Sequence, residues 1–244
     1  MRRRLIVNLG NSRMDWRDSE SAGIVLHAGE LERAFMSAFA NRPQPEEVVV
    51  GSVARREITE ALREWCRTNW DVAVRELVAT AEAGGVRNAY AEPARLGIDR
   101  WAALVAARHI YRGDVLIADC GTAITVDYLA RDGRHLGGLI APGLYMMRES
   151  LVRGTRLELA QEPVAPPALL ASDTESAVSA GTLGMIVIWL IRLAADLAAS
   201  HGPPRAMLIT GGDAPLVLEH LGEPWQLAPG LVLDGLERLA EWDS

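Results

Sequence analysis

The chain all but repeats its own opening, and that repeat constrains the fold more than any other feature. Residues 5–15 read LIVNLGNSRMD and residues 116–127 read LIADCGTAITVD. Each copy is an apolar run suited to a buried strand, then Asn or Asp, one spacer, Gly, and small hydroxyl or amide residues. Asn8 aligns with Asp119, Gly10 with Gly121, and Asn11 and Ser12 with Thr122 and Ala123. Glycine lets the backbone turn tightly and approach an anion, neighbouring N–H groups donate to that anion, and a carboxylate at the strand end can hold a cation. A single such turn reads as an ordinary hairpin. Two, one in each half, predict two lobes built alike that grip one nucleotide by its phosphates.

The expected architecture is α/β, with two lobes, each a mixed β-sheet flanked by helices. The boundaries are 1–113, with the first turn and a crossover helix, and 114–244, with the second. A length of 244 residues is enough for two such cores. Hydrophobic residues at 49% against 23% charged indicate a globular chain rather than a disordered one. A net charge of −7 leaves no electrostatic footprint for nucleic acid. Cys66 and Cys120 cannot make a disulfide framework, and nothing marks export, so the expected compartment is the cytoplasm. The histidines at 27, 109, 135, 201 and 220 show no metal-ligand spacing. The apolar stretch Leu183–Ile191 is too short to span a bilayer and predicts a helix in a core or a subunit interface, hence no membrane partner.

Periodicity predicts strands at 4–8, 13–17, 23–28 and 48–53 and helices at 31–40 and 55–69 in the first lobe, then a crossover helix at 100–111. The second lobe predicts strands at 114–119, 124–129 and 135–141, helices at 143–153 and 174–199, and a last strand, AMLIT, at 206–210. Three prolines make 161–171 a loop. There is no GxxxxGK[ST] and no GxGxxG opening a helix, which excludes P-loop and Rossmann sites.

Three further segments can carry chemistry. In YAEPARLGIDRWAAL (90–104), Asp99 stands just before a helical run, so it is either a helix N-cap or a general base beside Arg100, and the segment alone leaves both open. In LGGLIAPGLYMMRESL (136–151), Gly137 and Gly138 permit close backbone approach, and Met146 and Met147 suggest core packing. TGGD (210–213) follows a strand, and Gly211 and Gly212 could set backbone against a nucleoside or make a plain turn.

Taken together these segments resemble the type III pantothenate kinases, of the acetate and sugar kinase, Hsp70 and actin superfamily. The match rests on NLGNS (8–12), LGIDR (96–100) with Tyr90 and Pro93 before it, DCGTAITVD (119–127), GGLIAPGLYMM (137–147), DTESAVSAG around Thr174, and TGG (210–212). The resemblance implies duplicated ribonuclease H-like lobes, ATP as phosphoryl donor, pantothenate as acceptor, and a homodimer. It implies Asp99 as general base and Tyr90, Gly97, Arg100 and Thr174 as pantothenate contacts, the last across the dimer. Asn8, Gly10, Asn11, Ser12, Arg13, Gly121, Thr122, Gly211 and Gly212 fall at ATP and phosphate positions. Asp119 falls beside Mg²⁺, and a monovalent cation, K⁺ or NH₄⁺, is also implied. Asn8 departs from the family's Asp, and an amide oxygen binds a hard cation more weakly than a carboxylate. The rival expectation is therefore a weak or inactive homologue with a ligand-binding or transcriptional accessory role. Asn8→Asp should strengthen Mg²⁺·ATP binding, unless neighbouring residues have adapted to the amide.

Overall fold

The computed structural model describes residues 3–27, 30–159 and 169–242. Its contacts divide the chain into two units, Met1–Arg112 with Asp132–Gly137 and Gly230–Ser244, and Gly113–Arg131 with Gly138–Pro229.

The first unit opens with β1 (Arg4–Leu9), β2 (Arg13–Arg17), β3 (Ala22–Leu26), α1 (Leu31–Phe39), β4 (Glu47–Ser52), α2 (Arg56–Trp70) and β5 (Val74–Leu77). The sheet order is β3-β2-β1-β4-β5, antiparallel through the two hairpins and parallel from β1 across β4 to β5. β1 and β4 are almost wholly apolar and buried, as strands covered on both faces must be. β3 alternates and leaves Ile24 and Leu26 exposed, as an edge strand does. Leu5, Val7, Leu9, Val48 and Val50 meet Phe35, Phe39, Trp65 and Trp70 from α1 and α2. The rings of Trp65 and Trp70 sit edge to face at 4.8 Å, a favoured aromatic arrangement. Strand alternation turns Ile6, Asn8 and Gly51 to the opposite face. A short hairpin, β6 (Glu82–Ala83) and β7 (Val86–Arg87), precedes α3 (Ile98–Ile110). The Arg87 N–H donates to the Gly133 carbonyl at 2.8 Å and ties the 132–137 segment to this unit.

The second unit holds β8 (Val115–Cys120), β9 (Ala123–Leu129), β10 (His135–Pro142) from Gly138 onward, α4 (Leu144–Gly154), α5 (Thr174–His201), β11 (Ala206–Thr210), α6 (Ala214–Leu221) and β12 (Trp225–Leu227). Its order, β10-β9-β8-β11-β12, repeats that of the first sheet, with β8 parallel to β11 and β11 to β12. The duplication predicted from the two turns is thus a duplication of whole sheets. α5 packs Leu183, Ile186 and Leu190 on this sheet and leaves Met185, Ile188 and Ile191 exposed.

The last helix, α7 (Leu231–Trp242), goes back to the first unit. Its Gly235 lies against the backbone of Ala102 in α3, where a Cβ would have no room, so the two helices cross at backbone distance. Leu236 fills the space beside Gly51 on the sheet face that carries Asn8. A single boundary at 113/114 does not anticipate this return. β5, the β6–β7 hairpin, α6, β12 and α7 also went unread, so AMLIT is not the last strand. β5 has four residues, two of them charged, and α7 carries Gly235 in its middle, so local propensity argues against both; α6 opens with Pro215, which a helix start accepts, but spans only 8 residues. The apolar segment expected to be too short for a bilayer belongs to a 28-residue helix that is long and apolar enough by length and composition. Its buried Ile186 and Leu190 side is explained by packing on the sheet. Residues 161–168 of the proline-rich loop lie outside the described residues.

Candidate functional site

In the first unit, the Gly10 N–H donates to the Arg13 carbonyl at 2.9 Å and closes the turn between β1 and β2. Two side chains brace it. Nε2 of buried His27 donates to the Gly10 carbonyl at 3.0 Å, which requires the Nε2–H tautomer, and the His27 N–H donates to the Ser12 carbonyl at 3.1 Å. Asn11 donates to the Val53 carbonyl at 3.4 Å and accepts from the Arg55 N–H at 3.0 Å, pinning the turn to the loop that starts α2. Asn11 and Ser12 at the tip of the turn are exposed, so an anion can reach it. Arg13 opens β2 and forms an ion pair with Asp15 at 2.6 Å. Asn8 stands directly across from Asp15 on β2 and beside Gly51 on β4.

A second cluster in this unit surrounds Asp99. The Asn88 amide donates to the carbonyls of Thr80 at 3.1 Å and Pro93 at 3.2 Å, while its Oδ1 accepts from the Tyr90 N–H at 2.9 Å. These bonds shape the approach to α3. Gly97 occupies the N-cap position of α3 and Asp99 is the second residue inside the helix, so the N-cap reading of Asp99 does not hold. Its Oδ1 accepts from the Arg100 N–H at 2.7 Å, at the helix end where aligned peptide dipoles favour negative charge. A Cβ on Gly97 would run into that same Oδ1, so glycine is what leaves the carboxylate its place. The buried Arg100 donates to the Tyr90 hydroxyl at 3.0 Å, and the Tyr90 ring lies 13° from parallel with that of His135. Tyr90, Gly97, Asp99 and Arg100 therefore form one set. Thr174 is exposed, at the first position of α5 in the second unit, behind an Asp173 cap that accepts from the Ser176 N–H at 2.9 Å.

In the second unit, the Gly121 N–H donates to the Ala123 carbonyl at 3.1 Å, so this hairpin is one residue tighter than the first. Pairing Asn11 and Ser12 with Thr122 and Ala123 consequently fails beyond the glycines. The Gly143 N–H donates to the Thr122 carbonyl at 3.0 Å, and Gly143 has no room for a Cβ against the turn. Gly211 has φ +97°, a left-handed conformation suited to glycine, and packs on Asp119 and the Cys120 carbonyl. The Asp213 N–H donates to that carbonyl at 2.9 Å. Burial, and then the charges of Asp119 and Asp213, push the Cys120 thiol up to about 12. Both carboxylates thus act at one point beneath the turn. Two expectations change here. Nothing lies within 4 Å of a Cβ built on Gly137, whose φ of +117° and not close approach calls for glycine. Met146 is exposed, while Met147 packs on the core.

The sequence reading missed four residues at these turns: His27, Asp15, Gly143 and Asp213. A lone His after a strand gives no signal, and Asp15 gains meaning only from register. Gly143 follows Pro142 in a run already noted, and Asp213 follows the two glycines that drew attention to TGGD.

The family model for type III pantothenate kinase matches residues 4–195. A type III pantothenate kinase of Nitrosococcus oceani is 39% identical over 97% of this chain and 93% of its own length. One from Halorhodospira halophila is 36% identical over 96% of each. Among solved structures, the archaeal actin homologue Ta0583 aligns over 98% of this chain and 99% of its own with a TM-score of 0.57 at 11% identity, a likeness of fold alone.

Proposed function

The chain belongs to the type III pantothenate kinase family and is a phosphotransferase, and from that premise we propose that Asp99 is the general base for phosphorylation of pantothenate by ATP. The observation that carries this role is the placement of the Asp99 carboxylate inside the first turn of α3, held by the Arg100 N–H and left room by Gly97. As the primary hydroxyl oxygen attacks the γ-phosphorus, its proton passes to Asp99, the bond to the β-phosphate oxygen breaks, and ADP leaves with 4′-phosphopantothenate formed, the first step of coenzyme A synthesis. Such a transfer depends on positioning and charge neutralisation more than on covalent help from the protein.

Tyr90, Gly97 and Arg100 bind pantothenate, and Thr174 adds a contact from a partner subunit. In the first unit Gly10, Asn11, Ser12 and Arg13 serve the ATP phosphates, as Gly121 and Thr122 do in the second, with Gly211 and Gly212 on the nucleoside side. Mg²⁺ takes one or two carboxylates together with phosphate oxygens. Asp119, with the Asp213 charge beside it at Cys120, fits that donor set, and Asn8 offers an amide oxygen. Bound there, Mg²⁺ would neutralise phosphate charge, and K⁺ or NH₄⁺ supports the same end. The exposed apolar side of α5, with Ile188 70% and Met185 66% exposed, is the dimer face. The setting is the cytoplasm. The accessory-protein reading gains nothing from the geometry, because the Asp99 set is intact.

The test is mass spectrometry of a reaction containing ATP, Mg²⁺, K⁺ or NH₄⁺, and pantothenate. Phosphopantothenate is the expected product. Pantothenate binding without product under every cation tried would overturn the kinase reading.

A further inference from the structure

Resting on the kinase reading, we propose that Asp15 on β2 supplies to Mg²⁺·ATP the carboxylate that β1 lacks at position 8. The register pairs Asn8 with Asp15 across the first hairpin. Residues directly opposite on antiparallel strands share a face, with their Cβ atoms about 4.5–5.5 Å apart. The two side chains therefore occupy one locality, two residues back from the phosphate turn on β1 and two beyond its closing residue, Arg13, on β2.

The state of the carboxylate fits this role. Asp15 is partly buried, its side chain 18% exposed, and Arg13 engages Oδ1 twice, through Nε at 2.7 Å and a terminal nitrogen at 2.6 Å. Among the described residues nothing engages Oδ2. One oxygen thus fixes the side chain while the other remains for a hard cation or its waters, which Mg²⁺ holds readily. The same register explains the amide. Like charges directly opposite on paired strands destabilise the sheet, so an aspartate at 8 facing Asp15 would be penalised, whereas asparagine can face it without repulsion. Position 8 is neutral because position 15 is charged. The hairpin still carries one carboxylate on that face, moved from one strand to its partner. The second hairpin keeps its acid on the first strand: Asp119 faces Thr125, a neutral residue.

The experiment measures Mn²⁺ affinity by electron paramagnetic resonance in the complex of the protein with a non-hydrolysable ATP analogue, for wild type, Asp15→Asn, Asn8→Asp and the double variant. Asp15→Asn keeps the shape of the side chain and should weaken Mn²⁺ about tenfold or more, the usual scale for losing a group that supports a metal. Asn8→Asp alone should lower Tm without tightening Mn²⁺, and the double variant should recover wild-type affinity. Unchanged Mn²⁺ affinity in Asp15→Asn, with only Tm lowered, would show a purely structural Arg13–Asp15 pair and overturn the proposal. So would a double variant as weak as Asp15→Asn. Turnover of pantothenate by the wild type is read separately: its absence defeats the kinase reading, while the Mn²⁺ series judges Asp15 by itself.

Discussion

Asp99 owes its place to a neighbour with no side chain. Asp99→Asn should lower kcat by roughly 10² to 10⁴, the range for a lost general base, while the fold stays intact and Tm falls only by what the charge in the first turn of α3 contributes. Gly97→Ala should reproduce part of that loss, up to about 10²-fold, by displacing the carboxylate while leaving its chemistry intact. Steady-state kinetics beside thermal melts check both, and a Gly97→Ala protein with full kcat would show that Asp99 can shift without consequence. His27 gives a different pattern. Its Nε2 donates to the Gly10 carbonyl from a buried position, so His27→Leu should raise KM for ATP about 3- to 10-fold, the worth of one hydrogen bond. His27→Gln, which places an N–H donor near the same point, should restore it, with pantothenate KM unmoved in both.

Glu47 does for the first sheet what no single hairpin can, linking three strands. From β4 it accepts from Arg4 of β1 at 2.7 Å and pairs with Arg75 of β5 at 2.9 Å. Burial pushes its carboxyl up, but the two guanidinium groups outweigh that and hold it below the ordinary 4.5. A lowered folded-state value means stability that is fully present above the ordinary value and lost as pH falls through the folded one. Glu47→Gln should cost about 1 kcal/mol at neutral pH, and the gap from wild type should close as the solution is acidified, by urea midpoints at pH 7 and near pH 3. At this scale the sequence was legible wherever a strand or helix was long and periodic: β1, β4, α2, β8 and α5 lie within two residues of expectation. It was illegible where tertiary cover overrode local preference, as in α7, whose internal Gly235 argues against a helix until Ala102 is seen against it. The candidate residues of the glycine turns and of the LGIDR segment could be read directly. The pairing of Asn8 with Asp15 could not, because register belongs to two strands and not to one.

The whole molecule keeps both thiols out of reach, with Cys66 and Cys120 buried and each pushed up to about 12, in both cases chiefly by burial. Thiolate is the reactive form, so the native protein at pH 8 should resist iodoacetamide and take up two equivalents in denaturant. Fast labelling of Cys120 in the native state would mean that the core under the second turn opens readily. Replacing Ile188 by Glu should yield monomers by light scattering if the exposed side of α5 joins two copies. The return of α7 to the first unit has a consequence in time. A ribosome releases the strands of the first sheet early, yet residues 231–242, which seat Leu236 beside Gly51 and meet α3, emerge only after the second unit. The earliest-made unit is therefore finished only after the other has been synthesised. A stop codon or a protease cut just before Leu231 would unmake the beginning of the protein, not its end.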